Sequence, residues 1–165
     1  MSIELNPTTG VRLDVLGPTV EFLTSPQEAH NDLCAMRGVI PPGAFVPLHS
    51  HGDVEDFFLL SGQVQALKQV LGGYEWIEGK AGDLIHVPSG VPHAWRNVGS
   101  LPVVILIHTT SKMGRFFQEV GRPVTDTPQP VTAEDLARFL SVSATYGYWN
   151  ATPEENAAIG IPLSF

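Results

Sequence analysis

The sequence predicts an antiparallel β sandwich or barrel followed by short helices, and three observations lead to it. Short apolar runs separated by Gly and Pro occupy the chain from Val11 to Ile107, which is how many short strands joined by turns read. Helical spacing appears only in the C-terminal third. The 165 residues, 43% of them hydrophobic, suit one compact core and leave little for a second full domain. The expected organisation is a barrel with N-terminal strands over 1–110, and a helical extension over 111–165 packed on it within the same domain.

Met1 to Gly10 carries little pattern; Pro7, Thr8, Thr9 and Gly10 cluster as a first bend or arm. Strands are then expected at VRLDVL, VEFL and DLCAMRGVI, before the turn Pro41-Pro42-Gly43. Further strands follow at FVPL, DFFLL, VQALKQVL, YEWI, LIHV, HAWRN and VVILIH, parted by Gly72-Gly73, Gly79 to Gly82 and Pro88 to Gly90. Val103 to Ile107 is apolar at every position, so that strand is expected to be covered on both faces, with the C-terminal third as the cover. SKMGRFFQEVG reads as a short helix presenting Met113, Phe116 and Phe117. A second helix is expected from Thr132, with Asp135 placed for a capping box and Leu136, Phe139 and Leu140 on one face. The remaining segment, from Ala144 to Phe165, is expected to pack on the barrel surface, with a lid or a dimer arm as the alternative.

Seventeen acidic against nine basic side chains give a formal charge of −8, which opposes nucleic acid and anionic membrane surfaces. Cys34 is the only cysteine, so no intramolecular disulfide forms, and it is expected as a small buried residue. No signal-like N-terminus and no run of membrane-spanning length is present. A cytoplasmic protein is the expectation.

The chemistry concentrates in GAFVPLHSHGDVEDFFLLSG, Gly43 to Gly62. In an extended segment His49 and His51 project to the same side. A turn at Gly52 and Asp53 then brings Glu55 back on the returning strand, so two imidazoles and a carboxylate converge from adjacent strands. GDLIHVPSGVPHAWRN, Gly82 to Asn97, delivers His93 on a second hairpin after the Pro88-Ser89-Gly90 turn. Three nitrogens and one carboxylate oxygen suit Fe(II), Mn(II), Ni(II), Co(II), Cu(II) or Zn(II), with no thiolate to select softer ions.

These two stretches resemble the paired motifs of the cupin superfamily. Gly43, His49, His51, Glu55 and Gly62 match every position of the first motif, and Gly82, Pro88, Gly90, His93 and Asn97 match every position of the second. The resemblance implies an all-β, double-stranded β-helix (jelly-roll) barrel, with His49, His51, Glu55 and His93 holding one divalent transition metal, iron or manganese favoured. The C-terminal portion is similar, more loosely, to small single-domain cupins related to quercetin 2,3-dioxygenase, through Phe116 to Gly121 and Tyr146-Gly147. Homodimerisation is also expected, because such barrels leave edge strands to be covered and family members often pair.

By strand alternation Phe57 and Leu59 share the face of Glu55, and Trp95 that of His93, so these three are expected to line a substrate pocket. Glu55 is the candidate catalytic residue, as metal ligand and general base, against a purely structural ligand role. His86 is expected outward, with a supporting place beside the metal as the alternative. His108 is a candidate for the pocket mouth, and His30 is expected at the surface. Asp56 should point away from Glu55, and Arg37 is read as an outward ion-paired residue. The expected function is a metal-dependent oxidoreductase of dioxygenase type acting on a small enolic, phenolic or aromatic molecule. Alternatives are a metal-dependent isomerase or lyase on a small carbonyl compound, or a non-catalytic ligand-binding protein.

Overall fold

The computed structural model describes residues 10–27, 33–127 and 129–163. The expected arm before Gly10, and His30, lie outside the described residues. Strands β1 (Arg12–Asp14), β2 (Thr19–Phe22), β3 (Leu33–Ile40), β4 (Phe45–Ser50) and β5 (Glu55–Ser61) come first. They are followed by β6 (Gln63–Val70), β7 (Gly73–Lys80), β8 (Leu84–Val87), β9 (His93–Arg96) and β10 (Val103–Thr110). The C-terminal third holds α1 (Ser111–Val120), β11 (Arg122–Pro123), α2 (Ala133–Tyr146), β12 (Trp149–Asn150) and α3 (Pro153–Ala158). The strands form two antiparallel sheets, ordered β11-β1-β2-β3-β10-β5-β8 and β12-β4-β9-β6-β7. This is the double-stranded β-helix that the motifs imply.

Alternation explains why these strands face each other. In β3, Cys34, Met36 and Ile40 are buried while Ala35, Arg37 and Val39 are only partly so. Met36, Leu59 and Ile105 from the larger sheet meet Val64, Ala66 and Trp95 from the smaller one in a single core. Asn97 ties the loops at the bottom: its amide donates to the carbonyls of Ile40 (2.9 Å) and Leu101 (2.8 Å), and its side-chain oxygen accepts from Gly99. Gly62 adopts φ 83°, and a Cβ there would lie 2.7 Å from the carbonyl of Pro102, so the β5–β6 turn requires glycine.

Three local expectations are corrected by the packing. The β4–β5 and β8–β9 connections are not hairpins, because β5 and β8 belong to one sheet and β4 and β9 to the other. Among the described residues the cover expected over β10 is not found: Val103, Ile105 and Ile107 point inward, whereas Val104 and Leu106 stay half-buried outside, near the exposed Phe58, Leu60 and Leu84. Leu140 is 43% exposed. The packed side of α2 runs through Phe139, Val142, Ser143 and Tyr146, and a step of about 100° per residue carries Leu140 off it.

The helices begin where capping predicts. Thr132 and Asp135 form a reciprocal box at α2, and Gly147 ends the helix in the left-handed region. Beyond it, β12 pairs with β4, and Ile161 packs with Leu48, Leu67 and Ala94 on the outer side of the smaller sheet. Buried Asn156 accepts from the Leu48 amide at 2.8 Å. The C-terminal segment therefore packs on the barrel and caps an edge of the smaller sheet, which is the first of the two expectations for it. Among the described residues no helix is long and apolar enough to cross a membrane.

Candidate metal centre and its cavity

His49 and His93 face each other across the β4–β9 pairing, and their ring centroids are 4.2 Å apart. His51 follows β4, where its carbonyl accepts from the Gly90 amide at 2.7 Å. Glu55 opens β5 in the opposite sheet. The barrel interior thus brings the four together, rather than one hairpin. The three imidazoles can each offer a ligand atom within 4.8 Å of the others, so they are positioned to bind a metal ion.

The second nitrogen of each ring fixes its orientation. Nδ1 of His49 lies 2.8 Å from the Pro47 carbonyl, Nδ1 of His51 3.0 Å from that of Asp53, and Nδ1 of His93 2.8 Å from that of Val91. A carbonyl only accepts, so each Nδ1 carries the proton and donates it, leaving Nε2 to point inward. Nε2 of His51 and of His93 are buried without a hydrogen-bond partner, although they lie 3.2 and 3.4 Å from Glu55 Oε2. Lone pairs on two nitrogens and a carboxylate oxygen repel one another unless a proton or a cation sits among them. A divalent cation answers that arrangement, so the residues present fit the metal that the motifs imply.

Electrostatics agree with the geometry. Burial, then the neighbouring His93 and His51, pushes the His49 pKa down to about 3, which keeps this ring neutral and able to coordinate near neutral pH. Burial alone would raise Glu55, but the imidazoles of His51 and His93 outweigh it and hold the carboxyl at about 2. Burial likewise opposes protonation of His51, yet Glu55 prevails and its pKa is raised. For the metal-free protein the signs follow by linkage. Stability from His49 and Glu55 is lost as pH falls, from the ordinary 6.5 toward 3 and from 4.5 toward 2 respectively. Stability from His51 is instead lost as pH rises through its raised value. The melting temperature of chelator-treated protein should therefore decline below pH 6.5, and His49→Gln should flatten the decline between pH 6.5 and 4.5. Superimposable pH–melting curves for the two proteins would refute that assignment.

Beside the four residues lies a cavity of about 130 Å³, walled by Phe57, Trp95, Ile105, Phe116 and Tyr148 among others. Phe57 and Trp95 contact each other with centroids 4.5 Å apart. Leu59, expected beside them, does not line the cavity. It is fully buried two positions farther along β5, about 7 Å deeper, in the core near Gly79 and Val64. His108 is also corrected, since it lies exposed on the outer face opposite Asp56. His86 points outward and pairs with Asp56 at 2.7 Å, and Arg37 pairs with Glu21 at 2.9 Å. Three contributors were not anticipated: Asp53, treated only as a turn residue; Tyr148, whose hydroxyl donates to Asp53 Oδ2 at 2.7 Å; and Ser143. Nothing in local spacing marks Asp53 and Tyr148 as partners, for they lie 95 positions apart.

Residues 36–109 match the cupin domain family. The matched segment and the barrel built around it support the resemblance to the cupin superfamily. Among solved structures it resembles a predicted oxalate decarboxylase from Thermotoga maritima, with 26% identity and a TM-score of 0.53 over 67% of this chain and 98% of that one. It also resembles oxalate decarboxylase from Bacillus subtilis, at 24% identity and a TM-score of 0.52, over 60% of this chain and 27% of that one. The cupin domain of Schizosaccharomyces pombe Cnp3 is similar at 15% identity, with a TM-score of 0.50 over 65% and 70% of the two chains. No curated protein sequence matches.

Proposed function

We propose that the chain is a metal-dependent oxidoreductase of dioxygenase type, acting on a small enolic, phenolic or aromatic molecule. The observation that carries the reading is a three-histidine cluster, with Glu55 Oε2 3.2 and 3.4 Å from two of its nitrogens, opening into an apolar, aromatic cavity whose described lining includes no Lys or Arg. His49, His51, Glu55 and His93 would hold the metal, with iron or manganese favoured. Once bound, such a metal supplies Lewis acidity and redox chemistry with dioxygen. The protein's own part is to place and shield the substrate. Phe57 and Trp95 present an aromatic wall, and Met113 and Phe116 of α1 add apolar lining to the cavity. Glu55 Oε2 would receive the proton of a substrate hydroxyl.

The second reading, a metal-dependent lyase or isomerase on a small carbonyl compound, is favoured by the likeness to a predicted oxalate decarboxylase. The cavity weighs against a dianionic substrate, because two carboxylates in an apolar site want cationic partners and the described lining offers none beyond the metal. Elemental analysis of protein purified without added metal, followed by oxygen consumption with flavonols, catechols and diketones, tests both. Oxygen uptake with one of these classes is the expected result. Turnover of a carbonyl compound without oxygen uptake would transfer the assignment to the second reading. A protein that neither copurifies with nor binds a transition metal would end both.

A further inference from the structure

Four buried side-chain polar atoms among the described residues have no hydrogen-bond partner: Nε2 of His51, Nε2 of His93, the Thr109 hydroxyl and the Ser143 hydroxyl. The two imidazole nitrogens belong to the metal site. Thr109 does not line the cavity, whereas Ser143 does. Ser143 is 1% exposed and is the buried residue of α2, held by the layer of Met113, Phe116, Phe139 and Tyr148 that roofs the cavity. A serine inside a helix ordinarily returns its hydroxyl to a backbone carbonyl of the preceding turn. Here it does not, and an unanswered hydroxyl in an apolar site lowers stability unless something else bonds to it.

We infer that Ser143 is a specificity-determining residue: its hydroxyl bonds a second polar group of a substrate whose first polar group sits at the metal. The inference rests on the metal-site reading above. Besides the metal cluster, the cavity lining carries Ser143, Thr19 and Asn150 as polar side chains among mostly apolar and aromatic ones, and of these three only Ser143 has a buried hydroxyl without a partner. The matching class is a small uncharged ring compound with a metal-binding hydroxyl or carbonyl at one end, and a hydroxyl, carbonyl or ether oxygen borne elsewhere on the ring. Dicarboxylates and plain hydrocarbons lack that pattern.

The test compares wild type with Ser143→Ala, each as purified with its own metal and held under argon so that no oxygen is consumed. Calorimetric titrations use catechols that carry methyl or hydroxymethyl, and ethyl or 2-hydroxyethyl, at ring position 3 or 4. Wild type should favour at least one hydroxylated member over its alkyl twin by about three- to tenfold, the scale of one net hydrogen bond. Ser143→Ala should lose that preference while binding the alkyl twin as well as wild type does. Metal-free Ser143→Ala should melt at or above the wild-type temperature, because it discards an unanswered hydroxyl. Absence of any preference in wild type, its survival in Ser143→Ala, or a fall of about 3 °C or more in the metal-free melt would overturn the role of Ser143 alone. A protein that carries no transition metal would overturn the metal-site reading and this inference with it, and one that carries the metal but binds none of the catechols would overturn this inference alone.

Discussion

His93→Ala should weaken metal binding by at least about 100-fold and remove most of the thermal stabilisation that metal confers. Three imidazoles converge within 4.8 Å, and His93 is the one that faces His49 across the β4–β9 pairing and lies 3.4 Å from Glu55 Oε2. Loss of a single supporting hydrogen bond at a metal site typically costs 10- to 100-fold in affinity, so loss of a ligand should cost at least about 100-fold. At metal concentrations about 1,000 times the dissociation constant, wild type should gain roughly 4 kcal/mol. For a chain of this size that corresponds to roughly 8–16 °C of melting temperature. At the same concentration the variant, weakened about 100-fold, should gain no more than about 1.4 kcal/mol, roughly 3–6 °C. Its metal-free melt should change less than its metal-loaded melt, since the Nε2 removed is orphaned, although the bond from Nδ1 to the Val91 carbonyl goes with it. Elemental analysis and paired melting curves measure both quantities. Equal metal content in the two proteins, or an equal metal-induced shift, would exclude His93 as a ligand.

The convergence of the three histidines was legible in the sequence because its geometry is local twice over. Alternation places His49 with His51, and the Pro88 to Gly90 turn delivers His93 at the start of β9. What the turns do not encode is which sheet the chain joins next. Local chemistry at Gly52-Asp53 and Pro88-Ser89-Gly90 looks the same for a hairpin and for a crossover between sheets, so the convergence was expected from adjacent strands and occurs instead across the barrel. Alternation also gives a residue's face and not its depth, which is why Phe57 borders the cavity and Leu59 lies beneath it. The even apolarity of Val103 to Ile107 suggested a covered outer face. In fact α1 turns inward to roof the cavity, leaving Val104 and Leu106 half-buried outside. Capping signals at Thr132, Asp135 and Gly147 act within one turn of helix and were correspondingly readable.

Tyr148→Phe should weaken both the fold and the metal site, although Tyr148 touches no predicted ligand atom. Pairing of β12 with β4 at Ser50 and His49 sets Tyr148 over the site, its ring 5.4 Å from that of His51. Its hydroxyl donates to Asp53 Oδ2 at 2.7 Å, Thr110 donates to Oδ1 of the same buried carboxylate, and the Asp53 carbonyl receives Nδ1–H of His51 at 3.0 Å. Burial, followed by the Asp53 carboxylate, pushes the Tyr148 hydroxyl pKa up, so this group remains a proton donor throughout the accessible range. Removing one donor from a buried carboxylate costs about 1–3 kcal/mol. Because Asp53 in turn orients His51, metal affinity should fall by about tenfold, the lower end for a group that supports a ligand. A purely structural tyrosine would lower the melting temperature and leave metal affinity unchanged, so the affinity is the deciding measurement. Asp53→Asn provides the complementary perturbation. If the tyrosine acts through this carboxylate, the double variant should lose less than the sum of the two singles by about 1 kcal/mol or more in metal binding, whereas strict additivity would show that Tyr148 supports the site by another route. The same cycle tests whether a C-terminal strand of two residues, invisible to periodicity, holds the metal centre in register.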